Sequence, residues 1–133
     1  MRKLTHYSEG FTVIELLVFI LVILVISSVG ITNIRTLRAQ NRDTVRKTDI
    51  NAVYYQLESY YEKNGNYPEK LDTTTLKGID PASLKDSDEK TFNEVGGAYS
   101  YKPSGCTNTQ CKSYTLSAKL EKEADFEKES LNK

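Results

Sequence analysis

Residues 10–31 read GFTVIELLVFILVILVISSVGI and carry a single charge, that of Glu15. As a helix rising about 1.5 Å per residue, residues 11–31 would be about 32 Å long, enough to cross the hydrocarbon core of a bilayer. An apolar run of this length is typical of a membrane span, because lipid requires every backbone polar group to bond within the segment. The preceding residues, MRKLTHYSEG, are polar. We therefore predict a leader over residues 1–10 and a transmembrane helix over residues 11–31.

Three interpretations of this N-terminal region compete. The first is a secretory signal peptide cut after Ser28-Val29-Gly30, which would leave Ile31 as the new N-terminus. The second is a simple membrane anchor. The third is a chain that retains the apolar helix and has a specific use for Glu15. Such a use is expected because a carboxylate within an apolar span costs a few kcal/mol unless it is paired. Neither a signal peptide nor a simple anchor has a use for this carboxylate.

The octapeptide Gly10-Phe11-Thr12-Val13-Ile14-Glu15-Leu16-Leu17 closely resembles the processing site of type IV prepilins. The resemblance implies that the bond between Gly10 and Phe11 is cut, that the new α-amino group of Phe11 is methylated, and that the apolar helix is retained. It also gives Glu15 a partner, the Phe11 amine of a neighbouring subunit. The chain departs from the family at Glu9, where many members have a basic residue, and at Thr32, where many have a proline.

The arginines after the apolar run argue against export of the residues that follow it. Arg35, Arg38 and Arg42 follow the run, and the positive-inside rule would keep them in the cytoplasm. The rule weakens for long translocated domains. We nevertheless predict export, because we give more weight to the octapeptide and to the cysteines discussed below.

Residues 32–64 are predicted to continue the same helix in amphipathic form. Apolar and tyrosine residues recur there at spacings of three and four, which predicts one face packed on a core: Ile50, Val53, Tyr54, Leu57, Tyr60 and Tyr61. A stripe of tyrosines for adhesion or electron conduction is the alternative. Gly65 suits a left-handed cap, and Pro68 follows it. One helix from Phe11 to Asn64, weakened near Gly30, is therefore expected. The ending from Leu57 to Pro68 also resembles that of pilins.

Residues 65–133 are predicted to form a small head domain. Residues 69–98 indicate a long connection with a short helix near Pro81–Asp86, and two alternating segments indicate antiparallel strands, residues 98–102 and 113–120. The acidic residues of the connection lack the alternation of a calcium loop, so no metal site is predicted: Asp80, Asp86, Asp88 and Glu89. The charged tail from Glu121 to Lys133 is expected to be a solvated or frayed end.

Cys106 and Cys111 lie in the loop between the two predicted strands. In an exported chain they would form a disulfide that closes a small loop and contributes about 2 kcal/mol. In a reducing compartment they would be two free thiols.

Composition excludes several kinds of chemistry. The chain has 18 Lys and Arg against 18 Asp and Glu, a balance that gives no reason to expect binding to nucleic acid. His6 is the only histidine, and cleavage after Gly10 would remove it, together with any imidazole catalysis or histidine-ligated zinc. We predict no enzymatic activity and no cofactor.

The predicted fold is α+β, a long N-terminal helix with a transmembrane first half, packed against a small antiparallel sheet. The resemblance implies a structural subunit of a type IV pilus that serves adhesion, twitching motility or DNA uptake. The precursor would lie in the inner membrane and the mature subunit in an extracellular filament. Implied partners are further copies, other pilin-like subunits, a prepilin peptidase and methylase, an assembly ATPase and a membrane platform protein. Alternatives are a pseudopilin of a type II secretion or competence system, and a soluble domain secreted by signal peptidase.

Overall fold

The computed structural model describes residues 10–132, and the side chains of residues 29–33 are excepted from that description. The predicted leader therefore lies outside the described residues, apart from Gly10. The chain divides into two compact units, Met1–Leu37 and Arg38–Lys133. Helix α1, Val13–Asn64, runs without a break through Gly30.

The first unit contains the N-terminal part of α1. The helix begins at Val13, two residues later than expected, because Thr12 is its N-cap: the Thr12 hydroxyl oxygen accepts a hydrogen bond from the amide of Glu15 at 3.3 Å. The Thr12 carbonyl accepts the first helical bond, from Leu16, at 3.1 Å. Within residues 10–132, no helix meets the combined requirement of length and apolar character for a membrane span. The transmembrane part of the predicted fold is therefore not confirmed.

The second unit builds its core on the C-terminal part of α1. Ile50, Val53 and Leu57 are fully buried, as the periodicity predicted. The tyrosines of the same face are half-buried against this core. Gly65 ends the helix with φ +71° and donates its amide to the carbonyl of Tyr61 at 2.7 Å. The predicted face and the predicted cap are both confirmed.

Two small antiparallel sheets complete the second unit. Their strands are β1 Tyr67–Pro68, β2 Tyr99–Ser104, β3 Gln110–Cys111, β4 Ser113–Ala118 and β5 Phe126–Glu129. The larger sheet has the order β2-β4-β5, and the smaller pairs β1 with β3. In the β2–β4 hairpin, Tyr99 pairs with Ala118 and Ser104 with Ser113. A 3₁₀ helix covers Pro81–Leu84 in the connection. The predicted α+β class, hairpin and short helix are confirmed.

The core lies between α1 and the sheets. Alternate residues of β2 and β4 face it, because successive side chains of a strand point to opposite faces. The buried residues outside the helix face are Tyr67, Leu76, Ile79, Leu84, Tyr99, Tyr101, Cys111, Tyr114, Leu116, Ala118 and Leu120.

The C-terminal tail differs from the prediction of a solvated or frayed end. Its residues Phe126–Glu129 form strand β5, which pairs with β4 so that Phe126 lies opposite Ala118. Phe126 packs against the core, and buried Ser130 donates its amide to the carbonyl of Tyr114 at 3.1 Å. Charged residues suit this edge strand because one of its faces remains in solvent.

Candidate functional site

The predicted processing site lies just outside the helix. Gly10 and Phe11 both precede the first residue of α1, and Phe11 is 79% exposed. Gly10 is exposed as well, and neither residue belongs to a helix or strand, so their shared peptide bond is accessible in this structure. Thr12 and Glu15 together have the Thr-x-x-Glu spacing of a capping box. That spacing is visible in the sequence and could have predicted the start of the helix.

Glu15 lies in the first turn of α1 and is exposed. A carboxylate in this position interacts favourably with the positive end of the helix dipole. The structure contains one copy of the chain, so the predicted contact between Glu15 and the amine of a neighbouring Phe11 stays a prediction. Within its own chain, the backbone amide of Glu15 serves the helix cap.

Apolar side chains surround this part of α1 on every side. Their exposed fractions lie between 46% and 79%; they are Phe11, Val13, Ile14, Leu16, Leu17, Val18, Phe19, Ile20, Leu21, Val22, Ile23, Leu24, Val25 and Ile26. A helix that is apolar all round is normally covered by lipid or by other protein. This surface is therefore the strongest candidate for contact with something outside the chain.

Glu58 is the polar centre of the head domain. Its carboxylate accepts hydrogen bonds from the hydroxyl of Tyr114 at 2.6 Å, the hydroxyl of Tyr67 at 2.8 Å and the amide of Leu131 at 3.4 Å. Asn132 donates to the Tyr67 hydroxyl at 3.3 Å. One helical carboxylate thus joins α1 to β1, to β4 and to the C-terminal segment.

The buried tyrosine hydroxyls have unusually high pKa values. Burial raises the pKa of Tyr114, and the accepting Glu58 carboxylate raises it further. Burial likewise raises the pKa of Tyr99, whose hydroxyl donates to Asp49 at 2.7 Å. Burial also raises the pKa of Tyr101, whose hydroxyl donates to the carbonyl of Pro68 at 2.6 Å.

Most of these aromatic rings pack inside the head domain. Ring centroids lie 4.6 Å apart for Tyr61 and Tyr67, 4.7 Å for Tyr67 and Tyr114, and 5.7 Å for Tyr101 and Tyr114. Among the tyrosines of residues 10–132, Tyr55 is the most exposed, with 68% of its surface in solvent. Burial of the face from Ile50 to Tyr61 favours the core interpretation over an external tyrosine stripe.

A second polar cluster joins α1 to the segment after β4. Asp43 is 1% exposed and accepts the amides of Glu121 at 2.8 Å and Lys122 at 2.9 Å. Arg46, 8% exposed, contacts Asp43 at 3.3 Å and donates to the carbonyl of Lys119 at 3.2 Å. A buried carboxylate is stable here because both backbone amides and a guanidinium satisfy it.

Arg42 forms a two-point ion pair with Glu121, with N–O distances of 2.7 and 2.6 Å. The hydrogen bond to Arg42 holds the pKa of Glu121 at about 2, below its ordinary value of 4.5. This ion pair gives Arg42, one of the three arginines that follow the apolar run, a structural role in the folded domain.

The cysteine pair closes the hairpin loop, which pairs with the segment just after the helix. Cys106 and Cys111 lie at disulfide-bonding distance, S–S 2.00 Å. Cys111 is buried in the core and pairs with Tyr67 in the β1–β3 sheet. The sequence predicted the pairing but not this second sheet.

The acidic residues of the connection stabilise its turns. The carboxylate of buried Asp86 accepts the amides of Asp88 at 2.9 Å, Lys90 at 3.0 Å and Ala98 at 2.8 Å. Burial raises the pKa of Asp86, but these amide bonds lower it by more. Asp80 caps the 3₁₀ helix by accepting the amide of Ala82 at 2.9 Å. Within residues 10–132, no group of three or more potential metal ligands comes together.

Comparison of the chain with protein-family models, with characterised proteins and with solved structures found no match.

Proposed function

We propose that this chain is the precursor of a filament-forming subunit of the type IV pilin class. The observation that carries the proposal is the combination at the N-terminus of α1. An accessible Gly10–Phe11 bond precedes a helix whose apolar side chains are exposed on all sides, with Glu15 in its first turn. Cleavage at that bond would place a free amine four residues from Glu15.

In this proposal, residues 11–31 cross the inner membrane in the precursor and form the core of the filament after assembly. Packing of many such helices covers the apolar surface that one chain leaves exposed. The carboxylate of Glu15 and the Phe11 amine of the next subunit attract each other strongly in a core of low dielectric constant, which fixes the axial register. Such a head-to-tail contact does not close on itself, so a helical polymer follows.

The head domain supports the proposal by its independent construction. Together with the C-terminal part of α1, in residues 38–132, it contains its own core, two polar clusters and a closed hairpin loop. A domain of this kind can stay folded whether the preceding helix lies in lipid or in a filament. The chain would then act structurally, in adhesion, twitching motility, DNA uptake or secretion.

The test is the N-terminus and intact mass of the protein isolated from its native cells. We expect a chain that begins at Phe11 and carries one additional methyl group. A chain that begins at Ile31 would instead identify a soluble domain released by signal peptidase. A chain that retains Met1 would identify a simple membrane anchor.

If Phe11 is the N-terminus, images of labelled filaments decide between a pilus and a pseudopilus. Label along long surface filaments indicates a pilus subunit. Processed protein confined to the membrane and the periplasm indicates the secretion or competence alternative.

A further inference from the structure

A groove runs beside the last turns of α1. Its cavity volume is 340 Å³, at the lower end of the range for small-molecule pockets. One side is formed by helix residues at spacings of three and four, and the other by residues 74–77 of the connection; the polar lining residues include Gln56, Ser59, Tyr60, Lys63, Thr75 and Lys77.

The loop side of the groove is held in place by Asp72. One carboxylate oxygen of Asp72 accepts the amides of Thr74 at 2.9 Å and Thr75 at 2.7 Å, and the hydroxyl of Thr74 at 2.6 Å. These bonds lower the pKa of Asp72 from 3.8 to about 2. Leu76, the next residue, is buried in the core. A wall fixed in this way loses little conformational entropy when a ligand binds.

Four polar side chains of the groove have no partner of their own. Gln56, Ser59, Lys63 and Lys77 make no side-chain hydrogen bond or ion pair within the part of the chain that the structure describes. Asn64 and Thr74 also line the groove, but they are bonded to the carbonyl of Tyr60 at 2.8 Å and to Asp72 at 2.6 Å. The groove therefore keeps donors and acceptors available for a ligand.

The kind of ligand follows from charge and shape. Two lysines line the groove and no carboxylate does, so the groove favours an anion. The amide and hydroxyl groups of Gln56, Ser59 and Thr75 suit a ligand with several hydroxyls. Tyr60 is half-buried and offers part of its ring as an apolar surface.

A second depression of 320 Å³ adjoins the groove, shares Tyr60 and Thr75 with it, and adds Lys70 together with one carboxylate, Glu69. A ligand that fills both depressions must be longer than one sugar ring. We propose that this groove binds an acidic oligosaccharide, whose carboxylates contact the lysines and whose hydroxyls contact the neutral polar side chains. This site does not depend on filament assembly, because none of its residues belongs to the apolar segment.

The test uses the full-length chain, isotope-labelled in nonionic detergent and titrated with a tetramer of galacturonic acid. We expect saturable shifts of amide signals at Gln56, Lys63 and Thr75. The double variant Lys63→Gln/Lys77→Gln should weaken binding about tenfold. The matched control Lys102→Gln/Lys112→Gln removes the same charge from exposed positions outside the groove and should leave the affinity unchanged.

Several results would overturn the proposal. These are an absence of saturable shifts, shifts located elsewhere, or an equal loss of affinity in the control variant. Equal binding of a neutral galactose tetramer would show that the lysines do not select an acid. Tighter binding of inorganic polyphosphate would show a general anion site. Ser59→Ala provides a further variant without change of charge, and it should weaken binding of the tetramer.

Discussion

Glu58 on helix α1 accepts a hydrogen bond of 2.6 Å from the hydroxyl of Tyr114 on strand β4, across 56 residues of chain. The other oxygen of the same carboxylate accepts from Tyr67 on β1. The long helix and both sheets of the head domain are therefore joined at one side chain. A hydrogen bond to a charged group contributes more than a neutral one, about 1.5–3 kcal/mol.

Tyr114→Phe should lower the free energy of unfolding by about 1.5–3 kcal/mol, because it removes the hydroxyl and keeps the ring. Urea unfolding, followed by circular dichroism, measures the change. Tyr55→Phe is the matched control, since its ring is exposed and its hydroxyl has no partner within the described residues; we expect a change within about 0.5 kcal/mol. Equal effects of the two substitutions would contradict the role of Glu58.

The head domain should unfold more easily in alkaline solution. The folded pKa values of Tyr99, Tyr101 and Tyr114 lie above the ordinary value of 10.0. The stability that these groups contribute is fully present below the unfolded pKa and is lost as pH rises above it, because the unfolded chain releases the protons first. Urea midpoints measured at about pH 9 and about pH 11 should show the decrease. In Tyr99→Phe, the urea midpoint should fall less between these two pH values. An unchanged fall would show that Tyr99 does not contribute.

Asp43→Ala should be among the most destabilising substitutions in the chain. It leaves buried Arg46 with Glu121 as its remaining carboxylate partner, and it leaves the amides of Glu121 and Lys122 unsatisfied. Removing one member of a buried ion pair costs about 3–5 kcal/mol. The control is Glu123→Ala, which breaks an exposed pair with Lys47 and should cost less than about 1 kcal/mol. Urea unfolding of both variants provides the comparison, and a similar cost for the two would refute the assignment.

Reduction of the disulfide should destabilise the head domain by about 2 kcal/mol, because the unfolded chain then gains the freedom of the small loop. Urea unfolding with and without a reductant measures this effect. In the double variant Cys106→Ser/Cys111→Ser, the reductant should have no effect. Hydrogen exchange at Tyr67 should accelerate on reduction, because its strand partner is Cys111; unchanged exchange there would show that the β1–β3 sheet forms without the disulfide.

Structural features that follow from local sequence patterns were predictable. Burial of Ile50, Val53 and Leu57 follows from helical spacing, and the β2–β4 hairpin follows from alternation. Gly65 could be predicted as a cap because few other residues adopt its positive φ. In each case neighbouring residues in sequence determine the structure.

Features that depend on distant partners were not predictable. Asp43 is buried because it meets amides 78 and 79 residues away. Strand β5 was missed because a charged segment with one apolar residue pairs only once β4 provides an edge. The side chain of Asn93 covers the other edge of the sheet by accepting the amide of Tyr101 at 2.9 Å and donating to its carbonyl at 2.8 Å. No local sequence pattern predicts such a hydrogen bond.

Substitution of Glu15 separates two roles that its position allows. As the third residue of the helix it has the capping-box spacing from Thr12, and in the proposed filament its charge pairs with the Phe11 amine of a neighbour. Glutamine serves a capping box as well as glutamate does but has no charge. Glu15→Gln should therefore be cleaved after Gly10 and yet fail to enter filaments. The measurement is the amount of processed protein in sheared surface fractions compared with membranes.

Thr12→Ala is the converse control for that experiment. It removes the hydroxyl that accepts the Glu15 amide, at a cost of about 1 kcal/mol to the start of the helix, but it keeps the charge of Glu15. This variant should still be processed and should still assemble. If Glu15→Gln assembles at the wild-type level while Thr12→Ala does not, the cap is the essential feature and the charge pair is not.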